Sequence, residues 1–171
     1  LEIDQKALAN RQLEIRSCTA RFRDGTLLSF EHGEEPDRIS LESAAKQVEA
    51  LSASLSAMNE SADEVRVYLA IPKYGPLSPN VSPPADADRG RSKIIRRNVT
   101  DDTSGTNEQE IEFRELGVRV LLSTEDLSGY ELLPVAQIRG LANREVSPEI
   151  DPSFFPPVLS VSAWAPLCHD V

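Results

Sequence analysis

Gly129-Tyr130-Glu131-Leu132-Leu133-Pro134-Val135-Ala136-Gln137-Ile138 reads as a strand with a proline inside it. Proline has no N–H to give a ladder, so it is confined to a sheet edge, a strand start or a bulge. After a polar break the chain reaches Asp151-Pro152-Ser153-Phe154-Phe155-Pro156-Pro157-Val158-Leu159. There two phenylalanines lead into a stiff, extended Pro-Pro exit, because each proline fixes its own φ and restrains the residue before it. Neither stretch holds a histidine, a cysteine or a local catalytic or metal-binding pattern. Together they describe a mainly β packing and docking module.

The rest of the chain has the same character. Gln12 to Phe22 and Thr26 to Phe30 flank Arg23-Asp24-Gly25-Thr26, and Asp-Gly is a strong hairpin signal because glycine accepts positive φ. Glu31 to Asp37 is an acidic loop, and Ile39 and Leu41 are spaced like a short strand. Leu41, Ala44, Ala45, Val48, Leu51, Leu55 and Met58 then recur at three and four residues. This predicts one amphipathic helix, capped by Ser40 or Ser43. Val65 to Ile71 is a strand that ends at Pro72. Pro72 to Gly90 carries five prolines and few aliphatic residues, which predicts a long, mobile surface loop. Ser92 to Val99 is a basic strand, Glu110 to Glu115 a half-solvated one, and Val118 to Leu122 a more buried one. Glu131 to Arg139 returns. Strands every ten to fifteen residues, with turn chemistry between them, predict a β-sandwich or flattened barrel of antiparallel strands with one amphipathic helix inserted.

The 171 residues are enough for one domain with a real core, and the expectation is a single β domain over 1–171. The chain does not open on Met and is read as a fragment of a longer protein. Residues 151–171 are read as its exit segment. No apolar run approaches the ~20 residues that cross a bilayer. The net charge of −10 opposes nucleic acid and anionic membrane as bulk partners, since both bind through neutralised phosphates. Cys18 and Cys168 are too few and too far apart for a disulfide framework or a metal site, and fit a reducing cytosol. His32 and His169 have no ligand-spaced companions, and the carboxylates Glu31, Glu34, Glu35 and Asp37 lack the order of a calcium loop. No metal, cofactor or catalytic residue is predicted.

One cluster stands against the acidic background: Arg89, Arg91, Lys93, Arg96 and Arg97. On a strand, Arg91, Lys93 and Arg97 share a face, and Arg96 points the other way. They serve either as a contact for an acidic protein or as charge that guards a sheet edge against pairing.

Several separated motifs resemble one family. They are the hairpin Phe22-Arg23-Asp24-Gly25-Thr26, the strand Val67-Tyr68-Leu69-Ala70-Ile71-Pro72, and Arg96 or Arg97 followed by Val99 and Asp101 or Asp102. Tyr130-Glu131-Leu132-Leu133-Pro134-Val135-Ala136 comes next, and then Asp151 with Phe154-Phe155-Pro156-Pro157. In this order they resemble the N-terminal shoulder region of the TssK family, the baseplate subunits of bacterial type VI secretion systems. The resemblance implies a β-rich shoulder similar to a domain of phage receptor-binding proteins, with residues 151–171 leading toward a helical region. It further implies attachment to the baseplate wedge proteins, a homotrimeric full-length protein, and no catalysis. The implied location is the bacterial cytoplasm, at the cytoplasmic face of the membrane when assembled and without insertion into it. Arg91, Lys93, Arg97, Pro134, Phe154, Phe155, Pro156 and Pro157 are the candidate interface residues. The alternative is a phage-tail-like module that binds a receptor or surface glycan.

Overall fold

The computed structural model of the chain describes residues 1–55, 64–76, 80–82, 90–100, 102–143 and 146–163. The chain divides into two compact units, Leu1–Ala70 with Arg119–Val171, and Ile71–Val118.

In the first unit, one sheet is built around a long strand. Its members are β1 (Glu2–Asp4), β2 (Gln12–Arg21), β3 (Leu27–Glu31) and β4 (Arg38–Ser40), all antiparallel to β2. The predicted hairpin is β2–β3, paired from Ser17↔Glu31 to Arg21↔Leu27. Gly25 holds φ at +90° in its turn, and the Thr26 amide donates to the Asp24 carboxylate. Leu13, Ile15, Cys18 and Phe22 are buried, a pattern that changes parity partway along the strand. The pairing explains it. Glu2 faces Ser17 while Ile3 faces Ile15, so Arg16 is the extra residue of a bulge and turns every later side chain over.

β3 and β4 lie end to end along one edge of β2, and the acidic loop bridges them. His32 N donates to Arg16 O, and Ile15 N donates to Asp37 O. The loop's own carboxylates tie it together: Glu34 accepts from the Glu31 amide and Asp37 from the Gly33 amide.

The predicted helix is α1 (Glu42–Leu55). The Ser40 hydroxyl accepts from the Glu42 amide, and Leu41 O accepts from Ala45 N. Leu41, Ala44, Ala45 and Val48 are buried, as the period predicts, but Leu51 is 55 % exposed. Among the helix side chains described, burial along this stripe stops at Val48. Met58 lies outside the described residues.

The second sheet of this unit holds β5 (Val65–Pro72), β9 (Arg119–Leu122), β10 (Tyr130–Arg139) and β11 (Glu149–Ile150), in the order β11-β10-β5-β9. β5 and β9 pair antiparallel from Val67↔Leu122 to Ala70↔Arg119. Val65, Val67 and Leu69 of β5 are fully buried, with Leu122 of β9 and Ala136 and Ile138 of β10. β5 alternates over Val65–Leu69, with Arg66 exposed and Tyr68 half-buried, and is buried continuously only over Leu69–Ile71. The predicted strand end at Pro72 falls inside β5, as its last residue. Along the apolar run of β10, Leu132 and Leu133 are only half-buried, while Val135 and Ile138 are buried.

The second unit contains β6 (Val81–Ser82), β7 (Ser92–Val99) and β8 (Gln109–Leu116). β7 and β8 form an antiparallel ribbon from Ser92↔Leu116 to Val99↔Gln109, and β6 adds to β7 in parallel. So the segment 72–90 is not wholly a loop. Asn80 clamps Gly75 through both ends of its amide, giving a hydrogen bond to Gly75 O and taking one from Gly75 N. Val81 then pairs opposite Ser92. The remaining residues of that loop, 77–79 and 83–89, lie outside the described residues. The mainly β class, with antiparallel sheets and one α-helix inserted among the described residues, is the class the strand series predicts.

Candidate functional site

The segment that follows β11 is held by one carboxylate. Asp151 is 2 % exposed. Its backbone N–H continues the ladder to Gln137 O at 2.8 Å, and its carbonyl accepts from Phe154 N at 3.2 Å. Its Oδ1 accepts from the Ser153 amide at 2.9 Å and the Ser153 hydroxyl at 2.7 Å. Its Oδ2 accepts from Gln137 Nε2 at 3.1 Å and pairs with Arg139 Nη2 at 2.7 Å. This is an Asx turn, made rigid by Pro152 within it. Burial pushes the Asp151 carboxyl up. The hydrogen bonds from Ser153, the Arg139 charge and the Gln137 amide together outweigh burial and hold it below the usual carboxylate range.

The network reaches back to β5. Gln137 Nε2 also donates to Glu64, and Gln137 Oε1 accepts from Arg66. Arg139 Nε lies 3.2 Å from Glu64 Oε1, and Arg66 sits over the Phe154 ring at 5.6 Å from its centroid. Two cations, Arg66 and Arg139, therefore balance two anions, Glu64 and Asp151, around a single amide. Only Gln137 and Asp151 of this set are buried; Glu64, Arg66 and Arg139 keep part of their surface in water, and Arg139 Nε meets Glu64 as an ion pair without hydrogen-bond geometry.

This network places the predicted aromatic segment. Phe154 is half-buried under Arg66, Phe155 is 53 % exposed, Pro156 is buried and Pro157 is exposed. Val158 and Leu159 beyond them are also exposed, Leu159 almost completely. Pro134 is half-buried in β10. β11 faces only Ile138 and Arg139 of that strand, so Pro134 lies beyond the β10–β11 ladder, where an absent N–H costs nothing on that side.

The basic run lies in the other unit. Lys93 and Arg97 both reach Glu115 of β8, at 3.3 Å and 3.8 Å, so they share a face as expected. Arg96 points the other way, to Glu112 at 2.9 Å and Glu110 at 3.7 Å. Arg91 precedes the strand and donates to Pro72 O at 2.9 Å. Much of the positive charge is thus matched by the ribbon's own glutamates. Between the ion pairs, Val99, Ile111 and Phe113 are each about two-fifths exposed. The base of the ribbon is tight: a Cβ on Gly117 would meet Gly90 O at 2.7 Å, and Gly117 N donates to Arg91 O.

Sequence reasoning missed Glu64, Arg66, Gln137 and Arg139. Gln137 carried a usable signal, since it is a polar residue within the apolar run Val135-Ala136-Gln137-Ile138. Its partners lie up to 73 positions away, and nothing local announces them. His32 is exposed, with Nδ1 3.0 Å from Glu14 and 3.5 Å from Asp37. Among the described residues no cluster of three or more His, Cys, Asp or Glu side chains is arranged to hold a metal. Cys18 is buried, and burial pushes its thiol pKa up. Cys168 and His169 lie outside the described residues.

The family model described as "Bacterial Type VI secretion, VC_A0110, EvfL, ImpJ, VasE" matches residues 1–170. No curated protein sequence matches the chain. Solved structures that share its fold include the following three. One is a cryo-electron microscopy structure of the type VI secretion system TssK-TssF-TssG baseplate subcomplex. It superposes with a TM-score of 0.73 at 22 % identity, over 99 % of this chain and 51 % of that chain. A crystal structure of TssK gives 0.73 at 20 %, over 99 % and 35 %. A structure of the baseplate complex from the type VI secretion system gives 0.70 at 20 %, over 99 % and 50 %. The chain spans about half, or less, of the length of these solved chains.

Proposed function

Because the chain belongs to the VasE family of bacterial type VI secretion proteins, the TssK family, we propose that it is a structural, non-catalytic part of a secretion baseplate. Its role is to attach its subunit to the baseplate wedge. The observation that carries this reading is the family match over residues 1–170. The likeness to TssK seen together with TssF and TssG supports it, and makes the TssF–TssG pair the expected partner. The family match favours this reading over a glycan-binding module.

The intact protein works as a homotrimer in the cytoplasm, at the cytoplasmic face of the membrane once assembled. No helix among the described residues is long and apolar enough to cross a membrane. The surfaces offered for assembly are the exposed apolar residues Phe155, Val158 and Leu159, with Pro157, and the β7–β8 ribbon that carries Lys93 and Arg97. Interfaces draw on such aromatic anchors inside a polar surround.

Co-expression tests the reading. The intact protein is expected to co-purify with TssF and TssG and to elute at the mass of a trimer-containing complex. Phe155→Ala and Lys93→Glu with Arg97→Glu separate the two surfaces. Elution of the wild-type protein apart from TssF and TssG, at equal expression, contradicts the proposal.

A further inference from the structure

We propose that the Asp151 carboxylate is a latch: it holds residues 151–155 on the first unit, and its loss frees them while the sheet stays folded. The latch stands on geometry and is independent of the docking reading above.

Two features separate this segment from the sheet it leaves. The first is how little else anchors it. β11 contributes two register pairs, Ile138↔Ile150 and Arg139↔Glu149. Of residues 149–160, only Asp151 and Pro156 are buried. The apolar interior of the sheet comes from β5, β9 and β10 instead, through Val65, Val67, Leu69, Leu122, Ala136 and Ile138. Apolar burial therefore secures the sheet and secures the segment much less.

The second is the convergence on one side chain. Four donors from three residues meet the Asp151 oxygens: the Ser153 amide and hydroxyl, Gln137 Nε2 and Arg139 Nη2. Hydrogen bonds to an ionised acceptor are the strong class. Arg139 Nη2 also lies 3.4 Å from the Ser153 hydroxyl, so the same guanidinium grips both ends of the turn. Phe154 follows, its N–H on the Asp151 carbonyl and its ring beneath Arg66. With Phe154 turned inward, Phe155 is left facing out. Polar networks of this kind have a definite held geometry. Once the central acceptor is lost they have little to hold the segment, because the remaining groups regain water at once.

Amide hydrogen exchange on the intact protein tests the latch with Asp151→Asn, which keeps one oxygen for Ser153 but removes the charge and sets an NH2 against the donors Gln137 Nε2 and Arg139 Nη2. Exchange of the Ser153 and Phe154 amides is expected to quicken at least tenfold, with the β5 and β9 amides at Val67–Ala70 and Arg119–Leu122 unchanged. Unchanged exchange at Ser153 and Phe154 overturns the latch. Equal acceleration in both regions also overturns it, because Asp151 would then support the whole fold. If Asp151→Asn does not yield folded protein, Ser153→Ala decides, as it removes one hydroxyl donor at an exposed residue. About threefold faster exchange at Phe154, confined to this segment, supports the latch, and no change there refutes it.

Discussion

Replacing Phe154 and Phe155 one at a time with alanine separates two neighbouring rings that the sequence cannot tell apart. A fully buried Phe→Ala change costs about 3–5 kcal/mol. Phe155 is 53 % exposed, so its removal opens no closed cavity and strips away roughly half of the contact, an expected loss of about 1 kcal/mol. Phe154 is half-buried and also carries Arg66 over its ring at 5.6 Å. A cation–π contact of that exposure adds about 0.5–1 kcal/mol, for a total near 2 kcal/mol. In a chain of this size 1 kcal/mol moves Tm by about 2–4 °C. Phe154→Ala should therefore melt about 4–8 °C lower, and Phe155→Ala no more than about 4 °C lower. Differential scanning calorimetry at one pH reads both. Urea unfolding of Phe154→Ala, Arg66→Ala and the double variant should show a coupling of about 0.5–1 kcal/mol. A loss of 3–5 kcal/mol in Phe155→Ala refutes the reasoning, because that ring would then be a core plug and not an outward-facing surface.

Three further outcomes follow from the same geometry. Leu69→Ala, at a fully buried position of β5, should cost about 2–5 kcal/mol in urea unfolding, whereas Leu51→Ala, at an exposed position of the apolar stripe of α1, should change stability by about 0.5 kcal/mol or less. Gly117→Ala sets a Cβ against the Gly90 carbonyl at 2.7 Å, and the backbone shift it forces should cost about 1–3 kcal/mol, read as faster amide exchange along β7 and β8. Stability should also fall in acid. Hydrogen bonds hold three carboxyls below their usual value: from Arg16 and the Lys6 amide on Asp4, from Ser128 on Asp126, and from Ser153, Arg139 and Gln137 against burial on Asp151. A lowered folded-state pKa contributes stability that is fully present above the unfolded value of ~3.9 and is lost as pH falls through the folded value. Tm should be level with respect to these groups from pH 7 to about 5 and drop below about pH 4, less steeply in Asp151→Asn.

Local chemistry was legible in the sequence, and distant chemistry was not. Asp24-Gly25 announced the β2–β3 hairpin because the turn is decided by one residue's tolerance of positive φ. Ser92–Val99 was legible with its boundaries, as was the opposed direction of Arg96 and Arg97, because strand alternation needs no partner to be read. The helix period gave the inward face of α1 but not the exposure of Leu51. Leu51 fits the pattern and is exposed, since periodicity says which side is apolar and not how far the surface beneath extends. The changing parity of Leu13, Ile15 and Cys18 comes from a bulge at Arg16, visible only once β1 is paired with β2. β6 was hidden because two residues in a proline-rich stretch have no period. Within the candidate site, Phe154, Phe155 and Pro134 stood out by composition. The Asp151 network did not, because Glu64, Arg66, Gln137 and Arg139 meet only through the order β11-β10-β5.

The central claim is that this chain carries the wedge-attaching surface of its protein. Amide hydrogen exchange of the intact protein, with and without the TssF–TssG pair, tests it most directly. The account predicts new protection within residues 1–163, concentrated at the β7–β8 ribbon or at residues 154–159. Protection confined to regions outside this chain, with residues 1–163 exchanging at their free rate while the complex is saturated, would contradict it.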